Sequence, residues 1–205
     1  MNKKKDGRGH LLIQLIECIR SPSSAFRSLS DESSIRDSIL LVLTIAIIAS
    51  LASYNYVGKI TRGQTIIFPI MTLIGVFGKW LISSSFLYVF SRVQGGKSSL
   101  RNMLILVGFA STPFLIQHIL RLIDSFTTSP EQVLQLIIKS QIFENKFLNS
   151  ALHSALDKLN VFWVWSLSLQ VISLKENYEM SRNRSIITVI VTFIMMLFVS
   201  TFFPF

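Results

Sequence analysis

The longest apolar stretch of the chain is Ile66–Phe90, IIFPIMTLIGVFGKWLISSSFLYVF. A helix needs about 20 apolar residues to cross a hydrocarbon core of about 30 Å, and this stretch is longer than that. Since backbone groups inside lipid must be hydrogen-bonded within the segment itself, the stretch is predicted to be a transmembrane helix. Lys79, near its middle, is the residue that opposes this assignment.

The cost of placing Lys79 in the membrane is outweighed by the apolar residues around it. A lysine at the centre of a span costs roughly 2.5–3.5 kcal/mol, and each Leu, Ile, Phe or Val returns roughly 0.3–0.6 kcal/mol. The stretch has fourteen such residues, which together return about 4–8 kcal/mol. The helix is therefore expected to insert, and the ammonium group of Lys79 is expected to find a polar partner inside the protein.

Four further apolar blocks have a similar length, and the composition as a whole is that of a membrane protein. Half of the residues are apolar, 15% are charged, and the mean hydropathy is +0.53. The sequence therefore predicts an all-α polytopic membrane protein built as a bundle of five transmembrane helices. The predicted spans are about 38–56, 66–90, 103–123, 156–174 and 186–203, which form one domain (38–205) behind an N-terminal segment (1–37).

The distribution of basic residues predicts the orientation of this bundle. Thirteen of the twenty Lys and Arg residues lie in the N-terminal segment and in the loops 91–102 and 175–184. Because cytoplasmic loops carry the excess of basic residues, we expect a cytoplasmic N-terminus and an external C-terminus, in the cell membrane. The formal net charge of +9 is then a consequence of topology, and no nucleic-acid partner is expected.

The N-terminal segment is predicted to contain a short amphipathic helix. Leu12, Leu15, Ile16 and Ile19 fall on one helical face, behind a cluster of three lysines at positions 3–5. Such a helix either lies flat on the inner membrane surface, with its apolar face down, or docks beneath the bundle. The residues favour neither arrangement over the other.

The long outer loop between the third and fourth spans is also predicted to be helical. Ser129-Pro130-Glu131-Gln132 has the features of a helix start, with serine at the cap and proline at the first helical position. Apolar residues then recur at helical spacing from Val133 to Leu156. The pattern predicts one or two amphipathic helices at the outer membrane interface.

The sequence shows no catalytic or metal-binding constellation. Its three histidines, His10, His118 and His153, lie in separate segments without a Cys, His or carboxylate at ligand spacing. The acidic residues lie in loops or at the ends of spans, and no glycine-rich phosphate-binding loop is present. We therefore expect the protein not to be an enzyme and to bind neither a metal nor a cofactor.

Lys79 belongs to a candidate polar site within the membrane. Pro113 has no backbone N–H, so it is predicted to free the carbonyl of Phe109 and to kink the third span. Charges inside spans often mark transport or lipid-headgroup sites, although a structural, hydrogen-bonded lysine fits the sequence equally well. The candidate site comprises Lys79, Thr112, Pro113, Gln117 and His118.

A second candidate surface consists of the basic residues of the inner loops. Basic residues close to a membrane attract anionic lipids and acidic partners, and they also set the topology of the chain. The surface comprises Arg92, Lys97, Arg101, Lys175, Arg182 and Arg184.

Three stretches of the chain resemble the Yip domain family. They are SPSSAF (Ser21–Phe26), GFASTPF (Gly108–Phe114) and VWSLSLQVISLKENYEMSRNRSIITVIV (Val164–Val191), and their order and spacing carry the resemblance from about Ser21 onward. The eukaryotic members of this family are named for their interaction with Ypt/Rab GTPases, and the family implies five spans. This sequence is similar to the shorter prokaryotic members and lacks the Asp-Leu-Tyr-Gly-Pro type motif of the longer relatives, so binding of a small GTPase is not expected.

Two hypotheses about function follow from the sequence. The first is a non-enzymatic, Yip-like scaffold that organises membranes or takes part in trafficking through contacts with lipids and other membrane proteins. The second is a small transporter or channel component with a polar cleft around Lys79.

Overall fold

The computed structural model describes residues 7–32, 35–59, 66–97, 99–132 and 160–202, and the elements formed by these residues are helices. We number them in chain order. They are α1 (Gly7–Arg20), α2 (Pro22–Glu32), α3 (Ile35–Gly58), α4 (Ile67–Val93), α5 (Leu100–Ala110), α6 (Thr112–Thr127), α7 (Val161–Asn177) and α8 (Arg182–Phe202).

The membrane-spanning helices agree with the apolar blocks of the sequence. Within the described residues, α3, α4 and α8 are long and apolar enough to cross a membrane, and α5 with α6 forms a bent fourth candidate. Helix α7 has 17 residues, and residues 156–159 of the predicted fourth span lie outside the described part of the chain. The structure therefore has three or four candidate spans where the sequence predicted five.

The long helices form a closed cycle of neighbours around α5. Helix α3 packs between α4 and α6, α7 packs between α6 and α8, and α8 returns to α4. Helix α5 contacts α3, α4 and α7, and its residues 105–110 are all buried. The end of the bundle that carries α1 and α2 is called the proximal end. The distal end carries the C-terminal ends of α3 and α6 and the start of α7.

The N-terminal segment forms two helices, although the sequence suggested only one. The second helix, α2, has Pro22 as its first residue. At that position a proline costs nothing, because its missing N–H would have no helical partner in any case. Ala25, Phe26 and Leu29 are then buried, since α2 packs against α7 and α5.

Helix α1 presents apolar residues in two directions. Leu15 and Cys18 are buried, because α1 packs against α2 and α5. Leu12 and Ile16 are more than half exposed, at 63% and 52%. The four residues that the sequence placed on one apolar face are thus divided between a buried and an exposed side of the helix. Helix α1 docks beneath the bundle and keeps an exposed apolar stripe. Burial raises the pKa of the Cys18 thiol to about 12, so the thiol is protonated at neutral pH.

Helices α3, α4 and α5 meet at the carbonyl oxygen of Leu104. The Ser38 hydroxyl on α3 donates to it at 2.9 Å, and the Trp80 indole Nε1 on α4 donates to it at 3.1 Å. One turn further along α5, a Cβ on Gly108 would lie 1.8 Å from Ser38 Oγ. A glycine is therefore required for α3 and α5 to approach this closely.

The predicted kink at Pro113 is confirmed, with a bend of 41° between α5 and α6. The carbonyl of Phe109, which Pro113 cannot bond, accepts the Thr112 hydroxyl at 2.6 Å. The next carbonyl, of Ala110, accepts the Ser166 hydroxyl of α7 at 2.8 Å. Hydroxyl groups thus replace the lost backbone donors at the break.

The outer loop is described only at its start. Ser129 Oγ accepts the Gln132 N–H at 3.3 Å, and Gln132 Oε1 accepts the Ser129 N–H at 2.9 Å. This reciprocal pair is a capping box, and residues 130–132 are helical. The predicted amphipathic helices between Val133 and Leu156 lie outside the described residues.

The contact between α3 and α5 can be tested with two glycine substitutions. Gly108→Ala is expected to destabilise the bundle by about 1–3 kcal/mol, because its methyl group overlaps Ser38. Gly78→Ala is the matched control, since nothing lies within 4 Å of its Cβ position. The melting temperature in detergent measures both effects. An unchanged melting temperature for Gly108→Ala would show that the two helices are not in this contact.

Candidate functional site

The five residues of the predicted intramembrane site lie on α4 and on the first two turns of α6. Thr112 and Pro113 are buried at the break, where the Thr112 hydroxyl is used to satisfy a carbonyl. These two residues shape the kink. Gln117 is buried and His118 is half-buried on α6, and Lys79 is half-buried on α4.

Lys79 and His118 share their electrostatic environment with Arg121, which the sequence analysis did not include. Arg121 is exposed one turn after Gln117 on α6, and its charge acts on both Lys79 and His118. Lys79 and His118 also influence each other directly. The structure thus brings three basic side chains of α4 and α6 together toward the distal half of the bundle.

The C-terminal ends of α3 and α6 are joined by a polar network. The Tyr56 hydroxyl donates to the Asp124 carboxylate, which also accepts the Thr128 hydroxyl at 3.1 Å. The Lys59 ammonium donates to the Thr128 carbonyl. The Asp124 carboxylate is therefore held on the side of α6 that faces α3.

Two open grooves lie on either side of this network. The first, of about 300 Å³, runs between α6 and the start of α7, and the second, of about 360 Å³, lies between the ends of α3 and α6. Lys79 lines neither of them. The first groove is lined by Gln117, Leu120, Arg121, Asp124, Asn160 and Phe162, and the second by Tyr54, Asn55, Gly58, Lys59, Ser125 and Phe126.

The predicted basic surface lies at the proximal end, and half of its residues have partners there. Lys97 pairs with Glu179 at 3.1 Å, and Lys175 pairs with Glu176 at 3.4 Å. Arg184 Nη1 donates to the Gln94 carbonyl at 3.3 Å. The other three residues are exposed and make no ion pair within the described part of the chain: Arg92, Arg101 and Arg182.

Glu176 connects the N-terminal helices to the bundle. Arg27 Nε on α2 donates to its carboxylate at 2.6 Å, and only 6% of the Glu176 side chain is exposed. The hydrogen bond from Arg27 holds the pKa of Glu176 below its usual range. The sequence gave no signal for this pair, because its members are 149 positions apart.

The described residues bring together no group of three His, Cys, Asp or Glu side chains suited to hold a metal ion. The chemistry that this part of the molecule offers is therefore that of exposed guanidinium groups, amide groups and apolar surface.

The comparison with known families agrees with the arrangement of the helices. The model of a family described as Yip1 domain matches residues 16–203. The chain belongs to the Yip1 domain family. No curated protein and no solved structure matches it.

The Yip1 domain extends from the end of α1 to the end of α8. It therefore contains the proximal basic surface, the break at Pro113 and both distal grooves. Together with the apolar helices, the match makes this chain a multi-pass membrane protein.

The attachment of α2 to the Yip1 domain can be tested at Glu176. Glu176→Gln is expected to lower stability by about 1–2 kcal/mol, because it weakens a charge-assisted hydrogen bond to Arg27. Glu179→Gln is the control, since 76% of that side chain is exposed. Thermal unfolding in detergent measures the difference, and equal melting temperatures for the two variants would contradict the assignment.

The pair of Arg27 and Glu176 also predicts that the stability of the protein depends on pH. The pKa of Glu176 is lower in the folded than in the unfolded state. The pair therefore contributes fully to the free energy of unfolding above the unfolded pKa of about 4.3. This contribution is lost as the pH falls below that value. The melting temperature of the wild type should therefore approach that of Glu176→Gln under acid conditions.

Proposed function

We propose that this Yip1 domain protein is a non-enzymatic membrane scaffold that works through contacts at its proximal end, with lipids and with other membrane proteins. The observation that carries the proposal is the combination of apolar and basic groups on that end. The exposed stripe of α1 includes Ile13 and Ile16, at 57% and 52% exposure. Arg92, Arg101 and Arg182 are exposed at the ends of α4, α5 and α8 on the same side of the bundle.

This combination suits a surface that meets a membrane or a membrane-bound partner. Apolar side chains of an interfacial helix enter the headgroup boundary, and arginines nearby attract anionic groups. An exposed apolar patch rimmed by polar residues is also typical of protein interaction sites.

The proposal includes a topology of five spans with the proximal end in the cytoplasm. It rests on the excess of basic residues in the N-terminal segment and in the loops between α4 and α5 and between α7 and α8. Helix α7, which begins at Val161 behind its cap residue Asn160, would lie in the fourth span.

The alternative function, a small transporter or channel component, depends on a polar cleft around Lys79. Neither described groove is lined by Lys79, so no observation favours this alternative over the scaffold.

The topology can be tested with reporters fused to either end of the chain. A reporter after Phe205 is expected to be active only outside the cytoplasm, and a reporter before Met1 only inside it. Enzymatic reporters that require one compartment give the answer in intact cells. A C-terminal reporter that is active in the cytoplasm would contradict the five-span arrangement.

The scaffold proposal can be tested by quantitative capture from native membranes. The double variant Leu12→Ser/Ile16→Ser changes two residues of the exposed stripe, and it is expected to lose most of the membrane proteins that the wild type retains. The matched control is Phe126→Ser/Val161→Ser, which changes two residues of the distal end that are 70% and 68% exposed. Equal recovery of partners by both variants would contradict a role for the proximal end.

A further inference from the structure

The distal groove between α6 and α7 has the features of an anion site. Its volume is about 300 Å³, and its lining includes Gln117, Arg121 and Asn160. The groove lies at the distal end, whereas the proposed scaffold surface lies at the proximal end. A ligand of the groove is therefore distinct from the partners of the scaffold surface.

Arg121 supplies a cation that forms no ion pair within the described part of the chain. Its side chain is exposed and makes no hydrogen bond or ion pair within the described residues. Asp124, three positions later, would be the natural partner on a helix. That carboxylate is instead engaged by Tyr56 and Thr128, which leaves the guanidinium group available to a ligand.

Gln117 supplies an amide group at the groove. The side chain lines the groove, only 8% of the residue is exposed, and its amide forms no hydrogen bond with any described group. An oxygen of a ligand in the groove would accept a hydrogen bond from this amide.

Asp124 also lines the groove, but its carboxylate is engaged by Tyr56 and Thr128. The charge of Arg121 acts on Lys79 and His118 behind it. Helix α7 begins at the groove, where Asn160 Oδ1 accepts the N–H groups of Phe162 and Trp163 at 3.0 and 3.1 Å. A helix N-terminus adds partial positive charge, so an anion is favoured over a neutral or cationic ligand.

The lipid-facing surface of α6 reaches the edge of the groove. Leu120, which lines the groove, is 52% exposed, and Ile119 and Ile123 beside it are 41% and 59% exposed. These side chains belong in contact with acyl chains, since the helix is part of a membrane-spanning pair. The ligand therefore meets a cation and a buried amide on one side and hydrocarbon on the other.

We propose that this groove binds the headgroup phosphate of an anionic phospholipid from the distal leaflet. The phosphate oxygens accept from the Arg121 guanidinium and the Gln117 amide, and the acyl chains lie along Ile119 and Leu120. A guanidinium group is well suited to this role because its planar donors match the oxygens of a phosphate.

The site can be tested by native mass spectrometry of the full-length protein in detergent with added phosphatidylglycerol or phosphatidylcholine. Phosphatidylglycerol is expected to bind more tightly than phosphatidylcholine. Arg121→Gln should weaken phosphatidylglycerol binding about tenfold, the loss expected for a charge-assisted contact. Gln117→Leu should weaken it severalfold.

The control variant is Arg36→Gln, which removes an exposed arginine of α3 that makes no ion pair within the described residues. It should leave the affinity for phosphatidylglycerol unchanged. Equal weakening by Arg121→Gln and Arg36→Gln, or equal affinities for the two lipids in the wild type, would overturn the proposal. The exposed Arg121 can be replaced without disturbing the core, and an unchanged melting temperature verifies this.

Inorganic phosphate separates a lipid site from a site for a free anion. If the groove holds a phospholipid, millimolar phosphate should leave phosphatidylglycerol bound. Full displacement by phosphate, abolished by Arg121→Gln, would assign the groove to a small soluble anion and would overturn the assignment to a lipid.

Discussion

At the break at Pro113, backbone groups inside the membrane lose their helical hydrogen-bond partners. The structure depends on giving each of these groups another partner. Lipid offers no donors, so a proline in a span is tolerated only where side chains of the protein replace the missing bond. Thr112 and Ser166 do so for two consecutive carbonyls. Because Ser166 belongs to α7, the break also fixes the position of α7 against the bent span.

The break gives the two halves of the bundle different cores. In the proximal half, α5 is surrounded by its neighbours, and the Leu104 carbonyl joins three helices through Ser38 and Trp80. In the distal half, α6 contacts α3 and α7, where Trp163 lies between the rings of Phe114 and Phe193. Close backbone contact therefore holds the helices of the proximal half together. Aromatic packing holds those of the distal half together, and open grooves lie at its end.

The sequence predicted those features that depend on local composition. Apolar blocks of sufficient length gave the candidate spans, and Pro113 gave the kink, since both effects act within a few residues. Helix α2 was missed because Pro22 at a helix start looks the same as Pro22 in a turn until Phe26 has a surface to pack on. Arg121 falls at the end of the predicted third span, and its electrostatic effect on Lys79 depends on the packing of α4 and α6 around α3, which no short pattern encodes.

The positions of the basic residues carry different information at the two ends of the bundle. At the proximal end an excess of arginine and lysine is expected from topology alone if this end is cytoplasmic, so each residue there says little about binding. At the distal end the same rule disfavours basic residues, and those that remain need a local reason. Lys59 has one in the Thr128 carbonyl. Arg121 has none in the described protein, because Asp124 is taken by Tyr56, and for that reason its ligand is sought outside the chain.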